Sequence, residues 1–248
     1  MSGAADPHVG RCRLKEEFIL PKSLNNHDIY LEIGEKKVFA GAVEWPGWCR
    51  SGRNEGSAIE ALLESGSRYS KLFQSKELVF EAPENASSFK IVERLDGNST
   101  TDFGAPDVPL SNDKEPIDAN ELLRLPILLK SCWAGFDLAV IAAEGMQLRK
   151  GPRGGGRDLN RIIDHVLMAD ESYLKRIGWK MQTIEEGKLE KRIDRIRKEI
   201  LDAFEAAAHG ELPAVGPRGG KRWVPRFFVR RVAWHVIDHA WELEDRVL

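Results

Sequence analysis

The last 23 residues constrain the fold of this chain more than any other stretch. From Arg226 to Leu248 apolar residues recur at helical spacing, with Phe228, Val232, Ala233, Val236, Ile237, Ala240 and Leu243 close to one side. His235 and His239 stand four residues apart in that stripe. A helix therefore stacks their imidazoles one turn above the other on its inward side. Two rings so placed can each offer a nitrogen to one ion at about 2.0–2.1 Å without bending the helix, and imidazole suits zinc, nickel, iron or copper. A stable divalent site takes at least three protein ligands, so the chain must supply another.

Four other histidines exist. His8 and His27 lie in polar amino-terminal sequence, and His209, between Ala206-Ala207-Ala208 and Gly210, reads as a helix end. His165 remains, in the amphipathic segment Asp158 to Ile177, with Ile162, Met168 and Ala169 one turn away on its face. Two further segments complete the pattern. Asp118 onward begins with an aspartate cap and a broad apolar face, with Pro126 near a first turn or kink, and Leu189 to Ala208 repeats Ile193, Ile196, Ile200 and Phe204 with charges opposite. Four such segments of about 20 residues predict an all-α four-helix bundle over 118–248.

The amino-terminal half reads differently. Residues 1–27 form an irregular leader in which Phe18-Ile19-Leu20 could add an edge strand. Ile29 to Ile33 and Val38 to Val43 predict a hairpin, Glu44 to Gly52 a turn, Ala58 to Phe73 a helix with a break near Gly66, and Phe89 to Leu95 a later strand. The expected fold class is thus an α+β module over 28–97, a linker or ordered covering loop over 98–117, and the bundle. Thr101-Asp102-Phe103-Gly104 matches the kinase tripeptide alone, without its partner motifs, and is read as chance.

Val38 to Leu62, with its strand, Pro46-Gly47 turn, small polar linker and following helix, resembles the HicB-like family over about 45 residues. That resemblance implies a module often paired with a small RNA-cleaving toxin, although no DNA-binding element follows in the usual place. A structural module resting on its neighbour is the favoured reading. Ile163-Asp164-His165 to Glu171 together with Val232 to Glu242 resembles the DinB-like superfamily in layout, over 118–248. It implies a three-histidine site, His165, His235 and His239, holding zinc, nickel or iron and open to water or substrate. Relatives include transferases and isomerases that use low-molecular-weight thiols. The alternative is three satisfied core histidines. Glu242 shares the face of His239 and is the candidate catalytic residue, as a base; a fourth ligand is a further reading, and a salt bridge to Arg246 is the favoured one. Asp164 and Asp238 point about 100° away from the histidines they precede, and could orient a ligand on the neighbouring helix. Trp234 and Trp241 read as packing, and Trp45, Trp48 and Cys49 could close over the bundle.

Two glycine-rich basic stretches, Leu148 to Arg157 and Val215 to Arg222, each precede a histidine-bearing helix. Arg149, Lys150, Arg153, Arg157 and Arg218 are the candidate anion or substrate contacts, since such loops offer backbone N–H groups and positive charge. A flexible basic connector is the competing reading. The formal net charge of −2 gives no global pull towards nucleic acid or anionic lipid, and three scattered cysteines indicate no disulfide framework. The longest apolar stretch, Trp133 to Ala143, is interrupted by Gly135 and Asp137, so no membrane span is expected and a cytoplasmic setting is. The sequence therefore predicts a metal-dependent hydrolase or thiol-dependent transferase acting on a small anionic substrate or low-molecular-weight thiol. A non-enzymatic regulatory protein with a structural or sensory metal is the alternative, and a homodimer is left open.

Overall fold

The computed structural model describes residues 26–73, 77–150, 156–181, 187–217 and 219–248. The leader, its candidate edge strand, His8, Arg153 and Arg218 lie outside them, apart from Asn26 and His27 at the leader's end. The fold is α+β, with one four-stranded sheet and six helices among the described residues.

Alternation builds the sheet. In β1 (His27–Ile33), Ile29 and Leu31 point to one face and Tyr30 and Glu32 to the other. Strand β2 (Val38–Ala42) pairs antiparallel with β1, and β4 (Phe89–Asp96) pairs parallel on β1's other edge, giving the order β3-β2-β1-β4. The third strand, β3 (Cys49–Gly52), falls where the sequence reads as a turn. Cys-Arg-Ser-Gly has little β propensity of its own; pairing with β2 creates the strand.

One face carries helix α1 (Glu55–Ser70), started by Asn54 and Ser57 in a reciprocal cap. It passes unbroken through Gly66, whose bare Cα lets Trp48, Ala82 and Pro83 approach closely. His27 is β1's first residue, buried against Trp48 and Phe80 and hydrogen-bonded to the Glu81 carbonyl at 3.0 Å, so it belongs to the core. On the other face Tyr30 lies across Gly41, where a Cβ would come within 2.5 Å of its ring. The segment after β4 covers that face and is ordered, with a short helix α2 (Ser99–Phe103) ended by Gly104 at φ 116°. Thr101-Asp102-Phe103-Gly104 is therefore a helix and its left-handed stop. Glu32, fully buried, anchors the segment by accepting from the Thr101 hydroxyl and from the backbone N–H groups of Asp107 (2.9 Å) and Val108 (3.1 Å).

The remaining helices are α3 (Ala119–Ala143), α4 (Leu159–Ile177), α5 (Leu189–Ala208) and α6 (Pro225–Arg246). Pro126 sits inside α3, beyond its first turn. By length and composition α3 could cross a membrane, a test that core helices also pass; here Leu125, Leu128, Leu129, Cys132, Trp133 and Phe136 are buried and the helix packs on α6. Helix α6 also packs on α4 and α5. Its sequence reads as one-sided, yet 16 of its 22 residues are buried, Arg230 and Arg231 included. The sheet explains this. Arg230 reaches across to donate to the carbonyls of Ala42 (3.1 Å) and Val43 (3.2 Å), pairs with Asp113 at 2.9 Å, and Trp234 meets Phe39 edge to face.

Candidate metal centre

Helices α4 and α6 bring three imidazoles together. The His165 and His235 rings lie 5.1 Å apart, His165 and His239 4.9 Å, and His235 and His239 4.6 Å between centroids. One ligand atom from each falls within 4.8 Å of the others, a cluster that could hold a metal ion. The Nε2 atoms of His165 and His235 stand 3.3 Å apart. Two nitrogens bound to a tetrahedral zinc ion are separated by about 3.4 Å, so this pair already has the spacing of a coordination edge.

The electrostatics favour neutral rings at His165 and His235, whose lone pairs are then available to a metal. Burial, then the neighbouring His239 and Arg157, holds His165 down at about 4. Burial, His239 and His165 push His235 well below the ordinary histidine range. His239 is fixed by Glu242: its Nδ1–H donates to Oε2 at 2.8 Å, which leaves Nε2 as the free nitrogen. Oε1 of the same carboxylate accepts from Arg246 Nη1 at 2.7 Å. The His239 hydrogen bond, with the Arg246 contact behind it, holds Glu242 at about 2 and so ionised. Of the roles the sequence leaves open for Glu242, the pairing with Arg246 is present, and both carboxylate oxygens are engaged. His235 differs from His239 in that its Nδ1 is buried without a partner.

Other expectations fare differently. Asp164 pairs with Arg192 of α5 and Asp238 with Arg50 of β3, so neither orients a neighbouring histidine. Met168 is 64% exposed; the inward face of α4 runs through Ile162, Val166 and Tyr173 instead. Trp241 packs under the guanidinium of Arg50 at 3.9 Å. Trp45 reaches α3 by stacking with Arg124, Trp48 is buried under α1, and Cys49 shares a buried cluster with Tyr30, Phe39 and Trp234 of α6.

The basic stretches meet helix C-termini as well as preceding helices. Arg149 donates from Nη2 to the Asp245 carbonyl, at the end of α6, and its own carbonyl accepts from Arg246 Nε at 2.7 Å. Arg246 also donates to the Arg157 carbonyl at 2.9 Å. One arginine thus ties both described ends of the loop to the helix that carries His235 and His239. Arg157 lies close enough to depress both His165 and His235, while Lys150 is exposed. Immediately after the second stretch Trp223 donates its backbone N–H to the Arg176 carbonyl near the end of α4. Each of α4 and α6 therefore begins near the other's end, and they run antiparallel.

Sequence reasoning missed Arg231. It lies one turn before His235, buried at 6% exposure, with Nη1 donating to the Pro106 carbonyl and Nη2 to the Tyr173 hydroxyl at 3.3 Å. The signal was there in the two consecutive arginines, Arg230-Arg231, inside an apolar helix. No protein-family model matches this chain, and neither a curated protein nor a solved structure matches it.

Proposed function

We propose that this chain is a DinB-like metalloprotein in which α3 to α6 form a four-helix bundle and His165, His235 and His239 hold a divalent ion, zinc, nickel or iron. Its activity is that of a metal-dependent hydrolase or thiol-dependent transferase on a small anionic substrate. The sheet with α1 is then a HicB-like module that braces α6. The observation that carries the reading is the convergence of three imidazoles from two helices, with one already oriented by a carboxylate. A bound divalent ion would supply a Lewis acid able to lower the pKa of water or a thiol. The chain's own residues would provide the rest. Glu242 keeps His239 in one tautomer, Arg246 keeps Glu242 in place, and Arg157 and Arg231 make the surroundings positive.

A structural or sensory ion is the second reading, favoured by the burial of His235 and His239, each 7% exposed. The test is metal analysis of purified protein, followed by alanine at all three histidines and a screen of hydrolytic and thiol-transfer substrates. We expect one equivalent of metal, lost in the variant while the fold persists, together with turnover lost in parallel. Stoichiometric metal without any turnover favours the second reading. Protein that takes up no ion even after incubation with zinc refutes both.

A further inference from the structure

Helix α6 carries four arginines, and three of them are held by carboxylates: Arg226 by Glu121, Arg230 by Asp113 and Arg246 by Glu242. Arg231 pairs with none among the described residues, although it is as buried as Arg230. Its guanidinium is walled by the rings of Trp234 (5.0 Å), Tyr173 (5.4 Å) and Trp223 (5.9 Å). Tyr173 in turn stands edge-on to the ring of His235 at 5.8 Å. A desolvated cation is costly unless an opposite charge meets it, and here the described neighbours supply a carbonyl, a hydroxyl and aromatic faces but no carboxylate.

The donors left over have a definite shape. Nε is buried without a partner, and Nη2 makes only the 3.3 Å contact to Tyr173. Those two atoms form the side-on edge of a guanidinium. In this same chain Arg94 grips Glu55, and Arg226 grips Glu121, through that edge, each with Nε on one carboxylate oxygen and Nη2 on the other.

We infer that Arg231 is the receptor for an oxyanion of the substrate, a carboxylate or a phosphate, which it takes on its Nε and Nη2 edge beside the three-histidine cluster. The inference rests on the metal reading above and deepens it by assigning the anionic group to α6. Arg231 sits one turn from His235 with an unpartnered Nε, whereas Arg149 is spent on the end of α6 and Lys150 is exposed. Because Arg231 is 6% exposed and its Nε is fully buried, an oxyanion reaches it only as the terminal group of a small molecule, with a local shift of the surrounding side chains.

The experiment loads the full chain with Co(II) and titrates acetate and, separately, inorganic phosphate, reading the visible ligand-field bands. In the wild type at least one anion should give a saturable change, and the tighter of the two identifies the head group. Arg231→Met should weaken that binding at least about tenfold with Co(II) still bound at the wild-type stoichiometry. Arg231→Lys, which keeps the charge and loses the fork, should weaken it at least about threefold and serves if the methionine variant does not fold. The Arg231 Nε–H resonance of zinc-loaded wild type, which needs no substitution, should move on titration with the same anion. A wild type that binds Co(II) but ignores both anions, variants that bind them as tightly as wild type, or a resonance that stays in place overturns this inference alone. Absence of Co(II) binding overturns the metal reading and this one with it.

Discussion

Replacing Glu242 by glutamine tests how the site chooses the free nitrogen of His239. In the native arrangement Glu242 accepts from His239 Nδ1 at 2.8 Å and from Arg246 at 2.7 Å, so the imidazole proton is held on Nδ1. Glutamine cannot serve both neighbours. If its carbonyl turns to Arg246, its amide N–H groups face Nδ1, which must then give up its proton, and the proton moves to Nε2, the nitrogen a metal needs. If the carbonyl turns to His239, the amide N–H groups collide with the guanidinium donors. Loss of such a carboxylate partner typically costs metal affinity about 10–100-fold. At about 1.4 kcal/mol per factor of ten, that is roughly 1.4–2.8 kcal/mol. Competition with a chromophoric chelator at neutral pH measures it, with a thermal melt to confirm that the variant folds. An E242Q protein that binds zinc as tightly as wild type would refute the claim that this carboxylate sets the tautomer.

Three further outcomes follow from buried charge. Asp113→Ala leaves Arg230 buried without its counter-charge and should cost about 3–5 kcal/mol in urea unfolding; a loss below about 1 kcal/mol would show the pair to be incidental. Asp170 is buried, its Oδ1 has no partner, and burial raises its carboxyl to about 8. The folded chain therefore keeps a proton that the unfolded chain releases near pH 4, and stability falls as pH rises from about 4 to 8. Asp170→Asn should remove that slope and stabilise the metal-free protein by about 2–4 kcal/mol at neutral pH, read from denaturant titrations on either side of the window. His165 has the opposite sign. Its folded value of about 4 lies below the ordinary 6.5, so the unfolded chain takes the proton first, and stability is lost as pH falls from 6.5 towards 4. Metal-free His165→Ala should show a shallower acid limb in melting temperature over that range, and an unchanged limb would argue against a desolvated ring.

The sequence by itself determined the helical half and the pairing of two histidines on one helix face, because both are periodic. Helix α5 is legible to the residue from Ile193, Ile196, Ile200 and Phe204, and the i, i+4 spacing of His235 and His239 places both rings on one face whatever surrounds them. Eliminating the other histidines left His165, and tertiary packing put its ring beside theirs. Periodicity says nothing of what lies against the polar side of a helix. That is why α6 reads as half-exposed, why β3 reads as a turn, and why Arg231 went unnoticed: each depends on a partner far away in sequence, namely Ala42 and Asp113, β2, and Tyr173 with Pro106. The same holds for Asp164 and Asp238, whose partners Arg192 and Arg50 come from elements that spacing along one helix cannot rank. Local spacing fixes which face a side chain takes, and only long-range contact fixes which charge, ring or carbonyl it finds there.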